Sequence, residues 1–291
     1  MAKRYRTAEV YGMCGGVFAA LKMVEKAVAE CGNEPLYVLH ELVHNRMVTA
    51  GLEARGVVFA ESVSDIPQGA KVLIGAHGVS VEVENELRKI TDDISDATCP
   101  LVKKLQVSAA ELTEKDDLVI FGKHHHPEVE GVAGHSRAGR TFIVSNGAEI
   151  DELPELDAPF FISQTTVDAA KSAAAAEHLC RRFPGTHCMS GVCDASARRQ
   201  AAVRKLAEEC QVVIVAGSAH SSNACRLREL AEECGCLAFL TDEPQGLPVE
   251  ILKDTEVVGL TSGASTPEKL FSEIVKEIEK LGFAADRIIS E

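Results

Sequence analysis

The chain has 291 residues, 46% hydrophobic and 25% charged, the balance of a folded protein with a sizeable core. Its formal charge is −14 and no Lys/Arg run exceeds a pair such as Lys103-Lys104 or Arg198-Arg199, which argues against nucleic acid as a main partner because phosphate neutralisation needs a basic surface. No apolar run reaches the roughly 18 to 20 residues of a membrane helix, and the basic start Met1-Ala2-Lys3-Arg4-Tyr5-Arg6 lacks the apolar region of a secretory signal, so no membrane and a cytoplasmic location are expected.

Taken in order, the pattern predicts an N-terminal strand within 7–13, around Ala8-Glu9-Val10-Tyr11, feeding Cys14. Gly12-Met13-Cys14-Gly15-Gly16 then opens a helix with Val17, Leu21, Val24 and Val28 on one face, closed near Cys31-Gly32-Asn33. Strand Leu36–Leu39 runs into His40, a helix runs toward Arg55-Gly56, and strand Val57–Phe59 follows. Strand Val72–Gly75 delivers Ala76-His77-Gly78, and a helix over Val83–Lys89 closes the unit.

Asp96-Ala97-Thr98-Cys99-Pro100 restarts the pattern. Pro100 suits a first helical turn, and Leu101, Leu105, Ala109 and Leu112 recur at helical spacing. Strand Leu118–Phe121 ends in Gly122 and His124-His125-His126, a glycine-containing loop is expected over Gly131–Gly139, and a Pro/acidic loop over Glu152–Pro159. Strand Phe160–Ile162 then ends in Ser163-Gln164-Thr165-Thr166. Gly191-Val192-Cys193-Asp194 restarts the pattern again, with Ala202, Leu206 and Cys210 on a helix. Strand Val212–Val215 ends in Ser218, His220, Ser221, Ser222 and Asn223, and Val257–Leu260 ends in Thr261-Ser262-Gly263-Ala264-Ser265.

Each cysteine is thus followed at roughly 25 and again at roughly 60 to 70 residues by a strand ending in polar side chains, a repeat of layout without residue identity. The expected fold is α/β: three similar lobes with small parallel sheets in pseudo-three-fold arrangement, at 14–95, 96–189 and 190–281. The strand of 7–13 joins the third lobe, and 282–291 forms a tail. Ligands of parallel sheets collect at strand carboxyl ends, where all these polar clusters lie.

One cysteine per lobe, each just ahead of a helix, suits a cubane iron–sulfur cluster on the common axis. The helix N-terminus favours the thiolate, and three ligands for four irons leave one iron open as a Lewis acid. Three unrelated buried cysteines, or zinc held by three cysteines and a histidine, are the competing readings. His40, His77 and His126 occupy equivalent strand ends; with Ser221, Ser222, Asn223 and Ser265 they form a set of donors suited to a diphosphate. His124 and His125 are candidates for an outer layer. Glu128 beside His126 could hold a raised pKa and deliver a proton, with the Thr165 and Thr166 hydroxyls as relays. Of the ten cysteines, Cys31, Cys180, Cys210 and Cys225 read as small helix fillers, and Cys188, Cys234 and Cys236 as bystanders.

Asp96-Ala97-Thr98-Cys99-Pro100-Leu101-Val102, Ala76-His77-Gly78-Val79, His126-Pro127-Glu128-Val129-Glu130-Gly131, Gln164-Thr165-Thr166 and Gly217-Ser218 with Ser221-Ser222-Asn223 resemble the 4-hydroxy-3-methylbut-2-enyl diphosphate reductase (LytB/IspH) family over nearly the whole chain. The resemblance implies a [4Fe–4S] cluster on Cys14, Cys99 and Cys193, one per chain, with one iron lacking a protein ligand. It implies Glu128 as proton source with Thr165 and His126 beside the reacting hydroxyl. His40, His77, Ser221, Ser222, Asn223 and Ser265 would hold the diphosphate, and an external ferredoxin or flavodoxin would supply electrons. The implied reaction is reductive dehydroxylation to isopentenyl and dimethylallyl diphosphates, the last step of the methylerythritol phosphate route. Tyr11-Gly12-Met13-Cys14-Gly15-Gly16 departs from the family's usual Arg-Gly-Phe-Cys-Ala-Gly, and Ala195-Ser196-Ala197-Arg198-Arg199-Gln200 from Ala-Thr-Thr-x-Arg-Gln; neither removes a ligand. The alternatives are a quinolinate-synthase-like dehydratase acting on another small anion, and a non-enzymatic iron–sulfur sensor.

Overall fold

The structure, a computed structural model, describes residues 3–32 and 34–286. Thirteen strands and eleven α-helices alternate among them. β1 (Arg4–Thr7), α1 (Gly15–Cys31), β2 (Leu36–Leu39), α2 (Arg46–Glu53), β3 (Val57–Ala60), β4 (Lys71–Ile74), α3 (Val81–Ile90) and β5 (Ile94–Asp96) come first. α4 (Pro100–Ala110), β6 (Asp117–Phe121), α5 (Pro127–Ala133), β7 (Arg140–Val144), α6 (Gly147–Asp151), β8 (Phe160–Ser163), α7 (Ala169–Arg182) and β9 (His187–Met189) follow. The last set is α8 (Asp194–Glu209), β10 (Val212–Ala216), α9 (Ser222–Glu233), β11 (Leu237–Thr241), α10 (Val249–Lys253), β12 (Val257–Ser262), α11 (Glu268–Lys280) and β13 (Ala284–Ala285).

The strands form three parallel sheets of the same order: β3-β2-β4-β5, β7-β6-β8-β9 and β11-β10-β12-β1, the last extended by β13. In each, the first strand pair winds outward and the chain then crosses to the other side. The order therefore reverses between β2 and β4, between β6 and β8, and between β10 and β12. Those reversals are the positions where strand-end loops part and leave a crevice.

By packing, the chain divides into two compact units. One comprises Met1–Gly15, His44–Ala50 and Asp194–Glu291; the other comprises Gly16–Val43 and Gly51–Cys193. In the first unit, period-two alternation sends Val213 and Val215 to one face of the five-stranded sheet, against Val203, Leu206, Leu227 and Leu230 of α8 and α9. Val212, Ile214 and Ala216 face the other way, against Leu270, Phe271, Ile274 and Ile278 of α11. In the second unit, Val119, Phe121 and Phe161 meet Ala175 and Leu179 of α7, while Leu118, Ile120 and Ile162 meet Leu105 of α4 and Val129 of α5. Leu39, Val72 and Ile74 of the other four-stranded sheet pack on Leu87 of α3.

Four expectations need correction. The N-terminal strand is Arg4–Thr7, not 7–13. It pairs in parallel with Val257–Leu260, the Ala8 N–H takes Leu260 O at 2.9 Å, and the chain then bends, leaving Ala8–Tyr11 outside the ladder. Gly131 lies inside α5 rather than in a loop, and the turn begins at Gly134. Within 282–291, Ala284–Ala285 adds a strand beside β1, and 287–291 lie outside the described residues, as does Asn33 of the expected helix end. Cys180 is exposed rather than a filler of the α7 core face.

Candidate active site

In the second unit each functional side chain hangs from a strand end. β2 ends at His40, which is half-buried and holds φ +60° while its N–H takes Ala60 O at 2.8 Å. A left-handed histidine is uncommon and marks a constrained position. β4 ends at Ala76-His77-Gly78. Gly78 has φ +70° and a Cβ there would come 2.5 Å from Gln106 Nε2, so both conformation and space require glycine beside His77. Gln106, buried on α4, donates to Val79 O at 3.3 Å and pins this turn.

Cys99 is the N-cap of α4, with Pro100 behind it; its N–H takes Ala76 O at 3.0 Å, tying it to the His77 loop. Asp96 shapes the approach, accepting from Thr98 N at 2.9 Å, from Thr98 Oγ1, and from Lys103 Nζ at 3.0 Å. Burial alone would raise the Asp96 carboxyl, but these bonds outweigh it and hold it below the usual carboxylate range.

β6 leads to His126, the N-cap of α5, whose Nδ1 accepts the Glu128 N–H at 3.2 Å. An accepting Nδ1 places the ring proton of neutral His126 on Nε2. The His126 and His77 rings stand edge to face at 5.5 Å. Glu128 follows in the first turn, 2% exposed. Its Oε1 accepts the Thr165 N–H at 2.6 Å, and its Oε2 lies 2.8 Å from Thr165 Oγ1. Burial raises the carboxyl, the two Thr165 bonds partly oppose it, and the balance stands at about 7. Thr165, itself buried, also accepts the Cys193 N–H at 3.0 Å through its carbonyl. Cys99, His77, His126, Glu128, Thr165 and Cys193 are thereby linked by hydrogen bonds or ring contact within two strand-end neighbourhoods of one unit.

Thr166 Oγ1 instead accepts from Gln164 Nε2 at 3.2 Å, a turn-stabilising role. His124 pairs with Glu149 at 2.8 Å, and the His125 side chain is 95% exposed.

In the first unit, Cys14 stands directly before α1, its N–H on Ala264 O at 3.0 Å. The Gly12 N–H reaches Ser262 Oγ at 2.7 Å, and the buried Arg199 guanidinium bonds Gly12 O at 2.6 Å and Ala195 O at 2.8 Å. Ser221 caps α9 through the Ala224 N–H, and Ser222 begins the helix half-buried. Asn223 Oδ1 accepts the Ala264 N–H at 3.0 Å, while its Nδ2 is buried and has no hydrogen-bond partner among the described residues. Ser265 Oγ, on the neighbouring loop after β12, donates to His44 O at 3.4 Å.

Sequence reasoning passed over Gln106, Arg199 and the Asp96–Lys103 pair. Only Asp96 and Arg199 had a signal, since both sit inside the motif stretches. Gln106 gave no apolar signal, yet it shares the buried face of α4 with Val102 and the expected Leu105 and Ala109.

A profile of the LytB protein family matches residues 6–279. The chain belongs to the LytB family. Among related proteins, the 4-hydroxy-3-methylbut-2-enyl diphosphate reductase of Psychrobacter sp. is 39% identical over 279 residues, spanning 93% of this chain and 87% of that one. The E-1-hydroxy-2-methyl-but-2-enyl-4-diphosphate reductase of Plasmodium falciparum superposes with TM-score 0.93 at 31% identity, over 98% of this chain and 92% of that chain. A solved (E)-4-hydroxy-3-methyl-but-2-enyl diphosphate reductase, described as the terminal enzyme of the non-mevalonate pathway, gives TM-score 0.66 at 28% identity, over 96% of this chain and 100% of that chain. The α/β fold with three small parallel sheets is thus that of the LytB reductases. No helix among the described residues is long and apolar enough to cross a membrane.

Proposed function

We propose that this LytB family member is an oxidoreductase that removes the allylic hydroxyl of (E)-4-hydroxy-3-methylbut-2-enyl diphosphate. Two electrons and two protons release the hydroxyl as water and leave isopentenyl or dimethylallyl diphosphate. The names of its relatives and its family membership support the activity; the observation that carries the chemistry is Glu128, buried with both carboxyl oxygens on Thr165.

The donor set fits an iron–sulfur cluster. Cys14, Cys99 and Cys193 are half-buried cysteines outside any disulfide, and each directly precedes a helix of at least 11 residues. We assign a [4Fe–4S] cluster to these three, one per chain, with the lobes 14–95, 96–189 and 190–281 about it. When bound, the cluster supplies the electrons and an open Lewis-acid iron. Glu128, near half-protonated at neutral pH, donates through the Thr165 hydroxyl, since the 2.8 Å oxygen pair can carry its hydrogen in either direction. His126 presents Nε2–H to the hydroxyl side of the substrate. His40, His77, Ser221, Ser222, Asn223 and Ser265 hold the diphosphate; the unpartnered Asn223 Nδ2 is the donor best accounted for by a phosphate oxygen. A ferredoxin or flavodoxin delivers the electrons, and the location is the cytoplasm.

The test is turnover of the anaerobically reconstituted chain with dithionite as reductant. Wild type should release both diphosphate products, and Glu128→Gln should lose about a hundredfold or more in kcat. A fully reconstituted wild type without product, or turnover with no reductant as a dehydratase would give, would overturn the reading.

A further inference from the structure

Cys180 and Cys188 lie outside the site described. Cys180 occupies the last turn of α7 and Cys188 the middle of β9, both exposed, with their sulfurs 3.5 Å apart. Each side of the pair is anchored independently. Leu179, fully buried, seats the α7 end in the core, and Cys188 is in register with Phe161 of β8. The link between them turns at Gly185, which has φ +91°. The thiols meet because two ordered elements bring them together, so the entropy of pairing is already spent in folding. β9 is the edge strand of its sheet and has one neighbour. It can yield the movement of about 1.5 Å that separates sulfur contact from a disulfide bond.

We infer that Cys180 and Cys188 form a reversible disulfide by exchange with a low-molecular-weight disulfide, a thiol-modification site on the surface of α7 and β9. One protein thiolate attacks the small disulfide and expels one thiol, leaving a mixed disulfide. The second protein thiolate then attacks the bound protein sulfur and expels the other small thiol. The protein loses two electrons and two protons, and the small disulfide gains both. Both thiols are exposed, so either can open the exchange and the other resolve it. The cross-link would staple β9 to α7 a few residues before Cys193, where Gly191 N–H bonds Ser163 Oγ and Cys193 N–H bonds Thr165 O. Oxidation at the surface would then stiffen the segment that presents a proposed cluster ligand.

The experiment treats the full chain and Cys180→Ser, both reconstituted without air, with oxidised glutathione. The remaining thiols are blocked, the protein is digested with trypsin without reduction, and the peptides are read by tandem mass spectrometry. Wild type should give peptide 172–181 joined to 183–198, with fragment ions placing the bond on Cys188 and not Cys193. Dithiothreitol should reverse the link, and Cys180→Ser should lack it. Blocked thiols at both positions, persistent glutathione adducts there, or a bond to Cys193 would each overturn the inference. None of these readouts depends on turnover, so the catalytic reading and this one fail separately.

Discussion

Burial and hydrogen bonding pull on Glu128 in opposite directions. Removal from water favours the neutral acid, whereas the Thr165 N–H and hydroxyl favour the carboxylate, and burial prevails. A pKa raised from 4.5 to about 7 has a thermodynamic consequence as well as a catalytic one. The folded chain holds this proton more tightly than the unfolded chain does. Its contribution to stability is therefore complete below the unfolded value and is lost as pH rises through the folded one. Between about pH 4.5 and 7 the wild type should lose roughly 3 kcal/mol from this group, and Glu128→Gln should lack that slope. Urea titrations of both proteins at pH 5 and pH 8 read the difference directly; parallel losses in the two would refute it. The same group sets the acid side of catalysis, so kcat should fall above about pH 7 as Glu128 ionises. Glu128 was legible in the sequence because it is a carboxylate directly beside the histidine cluster, in the stretch His126-Pro127-Glu128-Val129-Glu130-Gly131. Gln106 was not. Leu101, at its expected core position, is 40% exposed, while Gln106 is 1% exposed because its amide is required by the Val79 carbonyl.

Strands were easier to read than helix faces. Leu118–Phe121 and Val212–Val215 are buried on both sides, and unbroken β-branched and aromatic runs bounded by turn residues have few other readings. α1 illustrates the difficulty. Its buried stripe is Ala20, Val24 and Ala27, and small alanines carry little hydrophobic signal beside Val17, Leu21 and Val28, which lie at the edges of the stripe. Connections are the least legible of all, because close backbone approach leaves no trace but a glycine. Gly191, between β9 and Cys193, is such a case. A Cβ there would stand 1.6 Å from Ser163 O, a backbone atom that cannot turn aside. Gly191→Ala should cost at least the roughly 3 kcal/mol at the upper end of overpacking, because the connection as a whole must move. It should also displace Cys193 and lower iron retention after reconstitution. A denaturation midpoint and iron content both equal to wild type would show that the connection has slack. At Gly15, where a Cβ meets nothing within 4 Å, the same substitution should leave the denaturation midpoint near wild type.

At the scale of the molecule, the common sheet order is the deepest regularity: β3-β2-β4-β5, β7-β6-β8-β9 and β11-β10-β12-β1 repeat one winding, with the third completed by the first strand of the chain. Each cysteine then follows the last-named strand of a sheet, Cys99 after β5, Cys193 after β9 and Cys14 after β1. The layout was readable from cysteine-to-strand intervals. The position of the closing strand was not, because Arg4–Thr7 carries two arginines and no aliphatic residue and shows its partner only in the ladder with Val257–Leu260. Cys14 belongs to one unit and Cys99 and Cys193 to the other. If one cluster takes all three, removing any single thiolate leaves it with two protein ligands. Cys14→Ser, Cys99→Ser and Cys193→Ser should then each reduce iron and acid-labile sulfide to a small fraction of wild type, with double variants no worse than single ones. Cys31→Ser and Cys234→Ser, on thiols with no part in the proposal, should retain the full complement. Full iron in Cys14→Ser alongside loss in the other two would confine the metal to the second unit and undo the shared centre. Equal retention in all three would remove the cluster from these cysteines altogether.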